Sequence, residues 1–166
     1  MKKAGNFVLM PVAVTLLLLA CEGGQESQIN EDVSRVTLAD HINLTDFGDY
    51  VVHINAIVTS HVPADVARNL GITRSDNRAM LNVVITRKIE GAFGSSVKGT
   101  VTGTAVNLVG QLKNMTIREV IEHNAIYYIG EVVVVDGETL FFNVDVTPEG
   151  ESRTYHLRYK GQFYSS

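Results

Sequence analysis

The clearest alternation in the chain runs from Ala125 to Thr147, AIYYIGEVVVVDGETLFFNVDVT. Leu140, Phe142, Val144 and Val146 alternate with Phe141, Asn143, Asp145 and Thr147, the two-residue period of a strand with one apolar face. A second β-branched and aromatic run precedes it, and Asp136-Gly137 between them suits the positive φ of a tight turn. The pattern predicts a β-hairpin. A two-residue loop would set Glu131 opposite Phe142 on the apolar face. A three-residue loop of Val135, Asp136 and Gly137 places Val132, Gly130, Tyr128 and Ile126 there and turns Glu131 outward. Burying an unpaired carboxylate is costly, so the bulged register is favoured.

The same period recurs along the chain. Tyr50, Val52, Ile54, Ala56 and Val58 form one face of a strand; Leu81, Val83 and Ile85 lie on one face of another spanning Met80 to Arg87. Val97, Gly99, Val101, Gly103 and Ala105 alternate with Lys98 and three threonines, a strand whose small inward residues suit close approach of a neighbouring layer. Met115 to Glu122 and Tyr155 to Phe163 read as further strands, and Val33 to Leu44 holds short strand fragments. Phe47-Gly48, His123-Asn124 and Pro148 to Gly150 are turns, and Glu90 to Ser96 is a glycine-containing loop. One segment departs from the pattern. Pro63 to Gly71 has proline at the first helical position, Asp65 in the first turn, Val66 and Leu70 four apart, and a terminal glycine. This is a helix of about two turns, too short to stand without a sheet beneath it. The elements predict an all-β fold, an immunoglobulin-like antiparallel β-sandwich with one short helix, a barrel being the alternative.

Composition adds a location. The chain has 166 residues, enough for one domain with appendages, and its single cysteine, Cys21, excludes an internal disulfide framework. Lys2 and Lys3 precede an apolar run from Phe7 to Leu19, which is too short to span a bilayer comfortably. Leu18-Leu19-Ala20-Cys21 then resembles a bacterial lipobox, so residues 1–20 read as a lipoprotein signal peptide and Cys21 as the lipidated first residue of the mature chain. More than one acyl chain at that position gives stable attachment to a membrane. Glu22 is not the aspartate that commonly retains lipoproteins at the inner membrane, so the expected location is the outer membrane, facing the periplasm. Residues 21–32 are polar and acidic and read as a flexible tether, leaving 33–166 as the sandwich domain. The precursor carries a net charge of −4, and loss of Lys2 and Lys3 makes the mature chain more acidic. That balance argues against nucleic acid as a partner.

Several strings together resemble a proteobacterial family, domain of unknown function 4426. They are FGDY (Phe47–Tyr50), Val52-His53, PADVARNLGI (Pro63–Ile72), RSDNRAMLNV (Arg74–Val83), GTAVNLVGQL (Gly103–Leu112), AIYYIGEV (Ala125–Val132) and ETLFFNVDVTPEG (Glu138–Gly150). The resemblance covers Phe47 to Phe163 and implies a periplasmic immunoglobulin-like domain; it implies no activity. The lipobox and the longer tether depart from the plain secreted forms that the family suggests.

Candidate chemistry is sparse. The chain has no G-x-S-x-G elbow, and Lys98-Gly99-Thr100 reverses the order of a phosphate loop, so no catalytic residue and no cofactor is expected. The five histidines, His41, His53, His61, His123 and His156, lie in no metal-binding string. His53 and His156 could still be neighbours on outward strand faces, which leaves a copper or zinc carrier as the alternative. Met80 and Met115 read as core filler. The polar cluster Arg74, Asp76, Asn77 and Arg78 is the candidate interaction patch, since arginine offers forked hydrogen bonds to an anionic group. The competing reading is local: Asp76 and Asn77 bond within the turn, and an arginine, Arg74 in particular, pairs with Glu131. The resulting expectation is a lipid-anchored binding or interaction module whose partner is an envelope protein, and whose mark would be a contiguous exposed apolar patch.

Overall fold

The computed structural model describes residues 43–164, the side chains of Ala92 and Phe93 excepted. The expected signal peptide and tether, Cys21, His41 and the predicted strand fragments before Asn43 lie outside the described residues. Among the described residues, ten strands form two antiparallel sheets packed face to face. They are β1 (Asn43–Asp46), β2 (Tyr50–Val58), β3 (Arg78–Ile89), β4 (Ala92–Ser96), β5 (Gly99–Asn107), β6 (Leu112–Lys113), β7 (Ile117–Glu122), β8 (Ala125–Val133), β9 (Glu138–Pro148) and β10 (Tyr155–Phe163). The first sheet has the order β1-β2-β3-β8-β7, with β4 also paired to β3; the second has the order β10-β9-β5-β6. This is the immunoglobulin-like sandwich that the period-two pattern predicts.

The alternation places the core. Tyr50, Val52, Ile54, Leu81, Val83, Ile85, Tyr128 and Val132 of the first sheet face Ala105, Leu140, Phe142, Val144, Val146, Leu157 and Phe163 of the second, all buried. Burying a side chain of this size stabilises by roughly 1.5–3 kcal/mol, so the facing rows dominate the stability of the fold. The small residues of β5 do what their size suggests. A Cβ on Gly103 would stand 3.1 Å from both Ile117 Cδ1 in the opposite layer and the Asn143 carbonyl.

The stretch Ala125–Thr147 does not pair with itself. β8 lies between β3 and β7 in the first sheet, whereas β9 lies between β10 and β5 in the second, and the link between them crosses from one layer to the other. The predicted hairpin is therefore replaced by an inter-sheet arch. The turn survives, because Glu138 N–H bonds the Val135 carbonyl at 3.0 Å and Gly137 has φ +72°. The facing also survives: Tyr128, Gly130 and Val132 point in and Glu131 points out. Alternation fixes which face a residue takes, and leaves open which strand it pairs with. A second departure is Glu90–Ser96. Gly91 turns at φ +72°, and the residues after it return as β4 along the edge of β3. Ser96 Oγ bridges to both backbone groups of Ile126, stitching the end of β4 to the start of β8.

The short helix α1 (Ala64–Asn69) covers the outer face of the first sheet. Pro63 stands at the cap rather than at the first helical position, so the helix begins one residue later than the sequence suggests. Its end is a Schellman motif: Ile72 N–H bonds the Ala67 carbonyl at 2.7 Å, Gly71 N–H bonds the Arg68 carbonyl at 3.2 Å, and Gly71 has φ +63°. Val62, Ala67, Leu70 and Ile72 bury a second apolar cluster against Met80 and Ile129. On β10, the last strand of the second sheet among the described residues, buried Tyr155, Leu157, Tyr159, Gly161 and Phe163 alternate with exposed His156, Arg158, Lys160 and Gln162.

Candidate functional site

One end of the sandwich carries the tip of the β5–β6 hairpin. Asn107 builds this turn. Its Oδ1 accepts from Val109 N–H at 3.2 Å and Gln111 N–H at 2.9 Å, its carbonyl accepts from Gly110 N–H at 3.0 Å, and its Nδ2 donates to Gln111 Oε1 at 3.1 Å. Gly110 supplies the positive φ of +81°. So fixed, the hairpin presents three large apolar side chains to solvent: Leu108 (70% exposed), Val109 (86%) and Leu112 (68%). Beneath the tip, Lys113 and Glu138 form an ion pair at 2.7 Å that is shielded on both sides. Burial alone would raise the Glu138 carboxyl pKa, but the Lys113 hydrogen bond, the Val135 N–H and the charge of Lys113 hold it below the ordinary value. A shallow cavity of about 160 Å³ separates Leu108 and Val109 from Gly137. Leu108, Val109 and Leu112 thus form an exposed apolar turn on a braced scaffold.

The cluster Arg74, Asp76, Asn77 and Arg78 divides. Arg74 donates to the Ser60 carbonyl at 2.6 Å, and Asn77 Oδ1 accepts from Ser75 Oγ at 2.6 Å while its carbonyl accepts from Val134 N–H. Buried Thr59 ties the same loop down through hydrogen bonds to Thr73 and Ser75. Asp76 is exposed at the turn. Arg74 is therefore not the partner of Glu131. That position belongs to Arg78, whose Nη1 lies 3.8 Å from Glu131 Oε2, joined by Arg118, whose Nη2 lies 3.7 Å from Glu131 Oε1. The reason is topological: β3 starts at Arg78, and Met80 pairs directly with Glu131, so Arg78 and Glu131 are diagonal neighbours on one outer face. These side chains line a concavity of about 350 Å³.

At the opposite end, polar groups face one another. Arg87 donates to Tyr50 Oη, which donates to Glu151 at 2.9 Å. Tyr128 Oη accepts from Gly99 N–H at 2.8 Å and donates to Glu119 at 3.0 Å, and Lys98 pairs with Glu119 at 3.3 Å. Burial of the Tyr128 hydroxyl, with Glu119 beside it, pushes its pKa up to about 12. Among the described residues, His53, His123 and His156 do not converge. His53 points outward from the first sheet, His156 outward from the second against Asp145 at 2.6 Å, and His123 occupies a turn at φ 53°. No group of three or more His, Cys, Asp or Glu able to hold a metal occurs among the described residues. Met80 lies in the cluster under α1 and Met115 packs against Gly130.

Neither the hairpin tip nor Arg118 stands out from its surroundings in the sequence pattern. Asn107-Leu-Val-Gly110 carried the available signal: two large apolar residues between an Asx and a glycine, where a turn needs neither.

No functionally curated protein matches the chain. Among solved structures, a DUF4426 family protein from Pseudomonas aeruginosa PAO1 is 28% identical, with a TM-score of 0.65, covering 76% of this chain and 98% of that one. Two structures of FetP from uropathogenic Escherichia coli strain F11 share the fold at lower identity. A copper-bound variant is 12% identical with a TM-score of 0.52, covering 76% of this chain and 98% of that one. The as-isolated protein, recombinantly expressed in the periplasm of Escherichia coli, is 13% identical with a TM-score of 0.51, covering 75% and 94%. The profile of the domain of unknown function DUF4426 matches residues 44–166, and the chain belongs to that family.

Proposed function

We propose that the protein is a lipid-anchored envelope module that binds a protein partner through the tip of the β5–β6 hairpin. The observation that carries this reading is the display of Leu108, Val109 and Leu112 on a turn fixed by Asn107. The Leu18–Cys21 string supports anchoring at Cys21, and Glu22 supports the periplasmic side of the outer membrane over the inner. Periplasmic expression of FetP, which shares the fold, fits an envelope location. The reading includes no enzymatic step. A copper or zinc role ranks second: the copper-bound FetP variant favours it through fold alone, and His53 and His156 stand on opposite outer faces.

A photo-crosslinking residue placed at Val109 in cells expressing the full chain tests the proposal, with Thr102, exposed on the outer face of the second sheet, as the control position. A discrete adduct at Val109 that is absent at Thr102 and disappears with Leu108→Ser is the expected result. Equal labelling at both positions, or none at Val109, would overturn it.

A further inference from the structure

A second surface carries different chemistry. On the outer face of the first sheet, Arg78 and Arg118 flank Glu131 around a concavity of about 350 Å³ whose rim includes Asn114, Thr116 and Val133. That volume lies at the small end of the range for small-molecule sites. Neither arginine is satisfied by Glu131. The separations of 3.8 and 3.7 Å are ion-pair distances beyond hydrogen-bond reach. The Arg78 guanidinium makes no hydrogen bond among the described residues. Arg118 is held by one nitrogen, Nη2, which donates to the Leu70 carbonyl at 2.7 Å and the Gly71 carbonyl at 3.1 Å at the end of α1. Its remaining N–H groups are left for another acceptor. Both side chains are about two-fifths exposed, so their forks are reachable from solvent.

The charge balance points the same way. Two guanidinium groups against one carboxylate leave a local excess of positive charge on a chain whose net charge is −4. Glu131 directs one oxygen at each arginine, Oε2 at Arg78 and Oε1 at Arg118, so the pair already brackets a planar oxyanion. Val133, half exposed, and Ile129 supply an apolar wall, and Asn114 and Thr116 supply neutral hydrogen-bonding groups. We propose that this concavity binds a small organic anion, a carboxylate or phosphate on a short apolar stem. Arg78 and Arg118 grip the oxyanion, and the Glu131 carboxylate competes with it for the same donors. The site is independent of the hairpin tip.

The test uses the full chain in detergent micelles, followed by NMR of arginine Nε–H and backbone amide resonances. Butyrate and inorganic phosphate are titrated separately at fixed chloride and ionic strength. Saturable shifts confined to Arg78, Arg118 and Val133 are expected. Saturation by butyrate alone identifies an organic carboxylate, by phosphate alone a phosphoryl group, and by both the shared oxyanion chemistry. Arg78→Met should weaken binding by about tenfold or more, and Glu131→Gln should tighten it severalfold by removing the competitor. Arg118 is left unchanged because it also caps α1, and the spectra themselves report whether each variant is folded. A Val109→Ser chain should titrate like the parent, which separates failure here from failure of the hairpin reading. The proposal is overturned if neither probe saturates, if Arg78→Met binds as the parent does, or if Glu131→Gln binds no more tightly.

Discussion

Where β2, β5 and β10 begin, Tyr50, Arg87, Glu151, Tyr128, Glu119 and Gly99 turn their polar groups toward one another. Where β5 ends, Leu108, Val109 and Leu112 turn away from the protein. The first end is closed by hydrogen bonds that a substitution would leave unpaired. The second is held open by a turn whose hydrogen bonds belong to the backbone and to Asn107, so the displayed side chains are not needed for the fold. On the proposed reading, stability and recognition fall to opposite ends, and a substitution should affect one or the other.

The largest effect is expected from Gly99→Ala. A Cβ there would meet the Thr147 carbonyl at 2.6 Å, Ile85 Cδ1 at 2.7 Å and Pro148 Cα at 3.1 Å, two of them backbone atoms that cannot swing aside. A loss of about 2–3 kcal/mol in urea unfolding is predicted. A neutral result would show that the closed end is looser than its contacts imply.

Tyr128→Phe comes next, at about 1–3 kcal/mol, because Gly99 N–H then loses its acceptor and Glu119 its donor. The effect depends on pH. The folded pKa is raised from 10.0 to about 12, so the protonated hydroxyl is favoured by the fold. Its contribution is complete below pH 10 and is lost as pH rises through 12. The stability gap between parent and variant should therefore narrow across that window in equilibrium melts. A constant gap would remove the hydroxyl from the account.

The smallest effect is expected from Val109→Ser, within about 0.5 kcal/mol of the parent, in the same melts. A loss comparable to that of Tyr128→Phe would make the tip a structural plug and erase the contrast between the ends.

Much of this was legible in the chain. The alternation at Tyr50–Val58, Leu140–Val146 and Tyr155–Phe163 gave the strands and their inward faces, because a period of two is a property of local geometry. Pairing was harder to read. Ala125–Thr147 carries every local mark of a hairpin, yet β3 and β7 take up the edges of β8, and β10 and β5 those of β9. That competition among distant segments leaves no trace in the stretch itself. The expected Arg74–Glu131 pair was misplaced for a related reason. Arg74 and Arg78 are four residues apart in the chain, but the start of β3 falls between their roles: one braces a loop at Ser60, and the other faces Glu131 beside an Arg118 from far along the chain. The glycine-containing loop became β4 because the distal edge of β3 was available to it.

The alternation on β10 has a consequence for how copies of the chain meet. β10 is the last strand of its sheet among the described residues, nine residues long, and such a strand is a template for pairing with its twin. A two-fold antiparallel pairing centred on Tyr159 would set Arg158 of each copy directly opposite Lys160 of the other. Like charges so placed repel, and the pairing would force both sets of cations onto one continuous surface. At high local concentration, outward cations on this strand would act as a barrier to sheet-to-sheet fusion.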